Sequence, residues 1–231
     1  MSIRKTAFAN GELYHIYNRG TDKRDIFGDQ YDQLRFLQSM VEFNALDPIG
    51  SIYEHSLHKS DTLGGKASKL VSEKGDKEIL VEVVAYCLNQ NHYHFILKQI
   101  SDRGIEKYMH RIGTGYTRYF NEKYERSGGL FQGKFKAIHI DTNEYLLHVS
   151  AYVNLNDRVH HLDKLGGLAT KSSWEVYIGV GNVANWVPCA KEIVLGQFRN
   201  PREYEEFAMR SLRGTLERRG LLTEEYLLEK D

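Results

Sequence analysis

Residues 83–99 read VVAYCLNQNHYHFILKQ. Apolar residues run up to a polar break at Asn89, Gln90 and Asn91, then resume as Phe95, Ile96 and Leu97. Two short apolar runs around a cluster of turn formers predict two strands, over 79–85 and 92–99, and strands so close in sequence pair most simply as antiparallel neighbours. Side chains on a strand alternate between faces, so His92 and His94 point the same way. Two neutral imidazoles side by side are half of a metal site or half of a general acid/base pair. The missing half must come from another element.

Outward from this pair, 12–18 (ELYHIYN) is a third strand candidate, closed by Arg19-Gly20. Residues 29–44 (DQYDQLRFLQSMVEFN) carry Tyr31, Leu34, Leu37 and Val41 at helical spacing, with Asp29 as N-cap and Pro48 just past the end. The polar stretch 58–77, with its Gly-Gly and scattered lysines, reads as a surface loop; it lacks the GxxxxGK[ST] order of a phosphate-cradling loop. After the hairpin, Ser101 or Asp102 caps a helix bearing Ile105, Tyr108, Met109, Ile112, Tyr116 and Tyr119, with Gly113 and Gly115 weakening its middle. The stretch 130–140 (LFQGKFKAIHI) alternates as a strand, placing Gln132, Lys134 and Lys136 on one face. Asp141 or Thr142 then caps a further helix, 143–156 (NEYLLHVSAYVNLN). Strands alternating with helices around an antiparallel hairpin predict an α+β fold, a ferredoxin-like antiparallel sheet with helices packed on it. We expect a main domain over 1–165 and a mostly helical C-terminal extension over 166–231.

The formal net charge is zero, so any nucleic-acid signal must be local. Two cysteines form no framework, which suits a reducing cytoplasm. The first residues lack an apolar leader, and no apolar run approaches the ~18 residues of a membrane span, so a cytoplasmic protein without membrane contact is expected.

On the helix after Asp141, positions four apart share a face, and one stripe reads His148, Tyr152, Asn156. A core stripe would prefer Leu and Val, which Leu146, Val149 and Val153 supply instead. The polar stripe can therefore face a cleft.

The order HYH on an apolar strand, a helix, GGLFQGKFKAIHI, and a helix with EYLLHVSAYVNLN resembles the single-tyrosine HUH transposases, in particular the REP-associated tyrosine transposases. HIYNRG followed by DIFGDQYDQLRFL resembles their first strand and helix. The resemblance implies a single-stranded DNA endonuclease/transesterase, dependent on Mg²⁺ or Mn²⁺, acting on single-stranded or hairpin DNA as a homodimer. It assigns His92 and His94 to the two histidines of the HUH motif, Tyr152 to the nucleophile and Asn156 to the third metal ligand. Asp157 stands where many relatives have proline. His148, with no settled family role, is expected close behind the site. A phenol with its ordinary pKa of about 10 needs a cation nearby to favour the phenolate. Imidazole and amide ligands leave Zn²⁺ open as well.

Between Lys98 and Lys136 there are nine Lys/Arg against four Asp/Glu, interleaved with aromatics. Cations for phosphates and planes for unpaired bases are what a single-strand groove requires. Arg118, Lys134 and Lys136 are the leading phosphate contacts, with Arg111, Tyr116 and Tyr119 as further DNA-binding candidates. Two alternatives remain: a domesticated hairpin-binding protein that no longer cuts, and a metal-dependent phosphodiesterase that uses water.

Overall fold

The strands of the computed structural model are β1 (Leu13–Arg19), β2 (Val81–Asn89), β3 (His92–Gln99), β4 (Lys136–Ile140) and β5 (Lys171–Ser172). They form one sheet in the order β4-β1-β3-β2-β5, with every neighbouring pair antiparallel. The helices are α1 (Gln30–Glu42), α2 (Gly104–Lys123), α3 (Asn143–Asn154), α4 (Asn156–Val159), α5 (Trp174–Ile178), α6 (Glu192–Leu195) and α7 (Pro201–Leu221). The structure describes residues 7–50, 52, 78–159, 168–180 and 186–221. The whole of the expected 58–77 loop, His160, His161 and the expected 165/166 boundary lie outside these. The first four strands in the order 4-1-3-2, with α1 and α2 as crossovers, make the ferredoxin-like α+β sandwich.

Alternation splits the sheet into two buried faces. Tyr14, Ile16, Tyr93, Phe95 and Leu97 pack under α1 and α2. Val84, Cys87, Ile96 and Ile140 pack under α3, α5 and α7. Each large side chain so buried contributes about 1.5–3 kcal/mol. The C-terminal part is thus built onto the sheet: β5 pairs with β2, and Trp174, Tyr177, Tyr204, Ala208 and Leu212 complete the second core.

Several local expectations shift. β2 runs on to Asn89, so the hairpin turn is only Gln90-Asn91 and Asn89 stands opposite His92. In α1, Asp29 does cap the helix, in a reciprocal box with Asp32. Its buried face, however, centres on Phe36, Leu37 and Met40, while Tyr31 is 66% exposed. The aromatic Phe36 displaces the Leu34–Val41 line by a third of a turn. The cap of α2 is Arg103 at φ 54°, because Ser101 spends its hydroxyl on the Ile79 carbonyl. Gly115 lets α2 approach α1: a Cβ there would sit 2.7 Å from the Phe43 ring.

Arg111 is a structural residue, contrary to the DNA-binding expectation. Its guanidinium donates to the carbonyls of Phe43, Ala45 and Leu46, the exposed acceptors just past the end of α1. Arg111→Ala is expected to lower stability by about 1–3 kcal/mol and to leave DNA affinity unchanged. Urea unfolding beside an oligonucleotide titration checks both.

Candidate active site

Register alone brings the first residues together. Directly opposed residues of an antiparallel pair project to the same side. One row across the sheet is Lys136, Tyr17, His94, Cys87; the next is Arg19, His92, Asn89. All lie on the face that α3 and α4 cover.

The helix expected over 143–156 ends at Asn154, and Leu155 caps it. Asn154 is held in place by Tyr204 and Ser173. Asn156 therefore opens the separate helix α4 instead of extending the Tyr152 stripe. The break turns its side chain to β2. Asn156 Oδ1 accepts from Asn89 Nδ2 at 2.6 Å and lies 3.0 Å from His92 Nε2.

The protonation of His92 follows from its partners. Asn91 Nδ2 donates to the Lys23 carbonyl, so Asn91 turns its oxygen to His92 Nδ1, 2.6 Å away. An amide oxygen can only accept, so Nδ1 carries the proton; a neutral ring has only one, and Nε2 then keeps its lone pair. Asn89 Nδ2, 2.8 Å away, donates to that lone pair. One amide NH₂ thus serves two acceptors, His92 Nε2 and Asn156 Oδ1. Asn89 is itself oriented by Thr170, whose hydroxyl donates to its oxygen.

His94 is 1% exposed, and its ring lies 5.2 Å from that of His92 at 88°. Its Nδ1 is 2.9 Å from Nε2 of the buried His15 on β1. The Tyr152 ring meets His94 edge-on, with centroids 5.6 Å apart at 85°, and its hydroxyl oxygen is buried. Within one chain, Tyr152 meets His94, His94 meets His92, and His92 meets Asn156. The rival tyrosines are elsewhere. Tyr116 is fully buried, with its hydroxyl on the Ile26 carbonyl, and cannot stack on a base. Tyr119 donates to Asp32, and burial beside that carboxylate pushes its phenol up to about 12. Burial also pushes the Cys87 thiol up, which makes it inert.

His92 Nε2 and Asn156 Oδ1 lie 3.0 Å apart, close enough that both would reach one cation. Two imidazole nitrogens and a carboxamide oxygen are a borderline donor set, open to Mn²⁺ or Zn²⁺ as well as Mg²⁺. Among the described residues no group of three or more His, Cys, Asp or Glu is arranged to hold a metal ion. The fit therefore rests on the amide.

The remaining expected residues divide. Lys136 shares the His94 row on edge strand β4, two strands or about 10 Å away. Lys134 is exposed just before β4. Arg118 is exposed on α2, in the layer over the opposite face of the sheet. His148 faces away from the site: Nδ1 is 3.1 Å from Ser211 Oγ and the ring packs on Phe207, both on α7. The sequence reading missed His15, Asn89 and Arg19. The only signal for His15 was a lone imidazole in an aromatic strand, and for Asn89 its place in a cluster read as a turn.

Burial lowers the pKa of His15 from 6.5 to about 4. The unfolded chain takes up this proton near pH 6.5, whereas the folded chain refuses it until about 4. Its contribution, about 3 kcal/mol, is complete above pH 6.5 and is lost as pH falls through that window. Urea unfolding between pH 7 and 4.5 is expected to show the loss, and His15→Gln to flatten it.

A histidine pair on one face of a ferredoxin-like sheet, under a helix that carries Tyr152, is the arrangement expected from the resemblance to the single-tyrosine HUH transposases. Residues 52–156 match the family described as IS200-like transposases. The matched stretch contains His92, His94, Tyr152 and Asn156. The chain is also similar to the structure of the REP-associated tyrosine transposase bound to a REP hairpin. There the identity is 12%, the coverage 83% of this chain and 93% of that one, and the TM-score 0.48. No curated protein matches the chain. Among the described residues no helix is long and apolar enough to cross a membrane.

Proposed function

We propose that this transposase-like chain is a metal-dependent single-strand DNA endonuclease and transesterase that cuts hairpin or unpaired DNA through Tyr152. The observation that carries the reading is the convergence of Tyr152 on His94, beside the acceptor pair His92 Nε2 and Asn156 Oδ1. His92, His94 and Asn156 would hold Mn²⁺ or Mg²⁺. When bound, such an ion supplies positive charge to the non-bridging oxygens of a phosphodiester and favours the phenolate.

Tyr152 Oη attacks phosphorus, the bond to the 3′-oxygen breaks, and the phenol proton ends on that leaving oxygen. A 5′-phosphotyrosine and a free 3′-OH result, and the reverse step rejoins strands without an outside energy source. Lys136 and Arg19, in the same two sheet rows as the histidines, steady the flanking phosphates, and Lys134 extends that edge. A homodimer, implied by the family resemblance, would add DNA-binding surface; the site itself is supplied by one chain.

The test is incubation of the full chain with a labelled hairpin oligonucleotide and Mn²⁺, followed by denaturing electrophoresis. A covalent protein–DNA adduct that disappears with chelator supports the reading. Cut product without any adduct supports attack by water, and binding without either supports a protein that only recognises DNA.

A further inference from the structure

We infer that His15 is the positioning residue that holds His94 in the tautomer able to bind a metal ion. The inference rests on the reading above, because it concerns what the proposed ligand His94 needs.

A neutral imidazole has one N–H and one lone pair, and the hydrogen bond at one nitrogen decides what the other offers. His15 Nε2 and His94 Nδ1 lie 2.9 Å apart, so one of them donates. If His15 donates, His94 Nε2 carries a proton and cannot ligate. If His94 Nδ1–H donates, Nε2 is left with its lone pair on the side of the ring away from His15. The two rings are within 20° of parallel, with centroids 5.2 Å apart.

Its neighbour decides between them. His92 is held with Nδ1–H on the Asn91 oxygen and a lone pair at Nε2. His92 and His94 stand on one face of one strand, and each has a side-chain partner at Nδ1, within 2.6 Å and 2.9 Å. A matched pair of Nδ1–H tautomers leaves a lone pair at each Nε2, and Asn156 Oδ1 lies 3.0 Å from that of His92. An imidazole that passes its second N–H to a fixed acceptor is oriented and made a better ligand.

The placing of His15 is a consequence of register. On β1 it stands opposite Ile96, one pair diagonal to the Tyr17–His94 pair, within reach on the same face. Tyr17 stacks on His94 at 5.6 Å and 23°, and Tyr152 closes on His15 edge-on at 6.1 Å. His15 is 6% exposed, so water does not compete for His94 Nδ1.

Long-range ¹⁵N–¹H spectra of the metal-free wild-type protein read the tautomer directly. A non-protonated Nε2 and a protonated Nδ1 on His94 are expected; the opposite assignment overturns the inference. Mn²⁺ titration by calorimetry gives the second readout. His15→Leu, which removes the acceptor, is expected to weaken Mn²⁺ binding about 10–100-fold. His15→Gln, which can return an amide oxygen, is expected to recover most of it. Equal Mn²⁺ affinity in wild type and His15→Leu overturns the role of His15 alone. A folded wild type that binds no Mn²⁺ overturns the metal reading instead, and the tautomer spectrum then still decides the His15–His94 bond.

Discussion

Tyr152→Phe is expected to abolish the covalent protein–DNA adduct and to lower cleavage by at least about 10³-fold, with DNA affinity within about twofold of wild type. The substitution removes one oxygen and keeps the ring. That ring makes the edge contacts to His94 and His15, so packing on the second face of the sheet should persist. The separation of chemistry from binding is what makes the experiment informative. Loss of binding together with cleavage would mean that the phenol anchors DNA rather than attacking it. An undiminished adduct would move the nucleophile elsewhere, and Tyr116 and Tyr119 are poorly placed to inherit the role. Both are tied to other acceptors, and burial raises both phenols.

The second large effect concerns stability. Asp32 is fully buried and accepts from five donors. Gly28 N and the Tyr124 hydroxyl reach Oδ2 at 2.7 Å each, with Asp29 N at 3.3 Å. The Tyr119 hydroxyl and Lys123 Nζ reach Oδ1 at 2.9 and 2.6 Å. This carboxylate ties the start of α1 to the end of α2, the two helices over the first face. Asp32→Ala is expected to cost about 3–5 kcal/mol. Lys123 is 29% exposed and can turn to water, so most of the loss falls on the phenols and backbone N–H groups left unserved. Asp32→Asn keeps the shape and part of the bonding and should cost less. A loss below about 1 kcal/mol in urea unfolding of the alanine variant would contradict this account.

The histidine pair was legible because strand alternation is a strict rule and the hairpin is short; no tertiary knowledge was needed to place both imidazoles on one face. Tyr152 stood out because its helix had leucine and valine to spare for the core, and the structure sets its ring against His94. His148 failed on the same stripe, since the partner it meets, α7, lies some fifty residues later. Asn156 does reach His92, but not as part of the Tyr152 stripe: the helix stops at Asn154, where Tyr204 and Ser173 hold the Asn154 side chain. Arg111 and Tyr116 looked like nucleic-acid contacts because a basic and aromatic helix has the same composition whether its cations cap a neighbouring helix or face solvent. His15 and Asn89 were invisible as site residues. Their positions depend on cross-strand register, which local periodicity does not contain.

The most direct test is a crystal of this chain soaked with Mn²⁺, with the ion located by anomalous diffraction. The account predicts one strong peak ligated by His92 Nε2, His94 Nε2 and Asn156 Oδ1, with the Tyr152 hydroxyl on the same side of the sheet. A peak on other residues, or one with His94 turned so that Nε2 faces away from the ion, would contradict it.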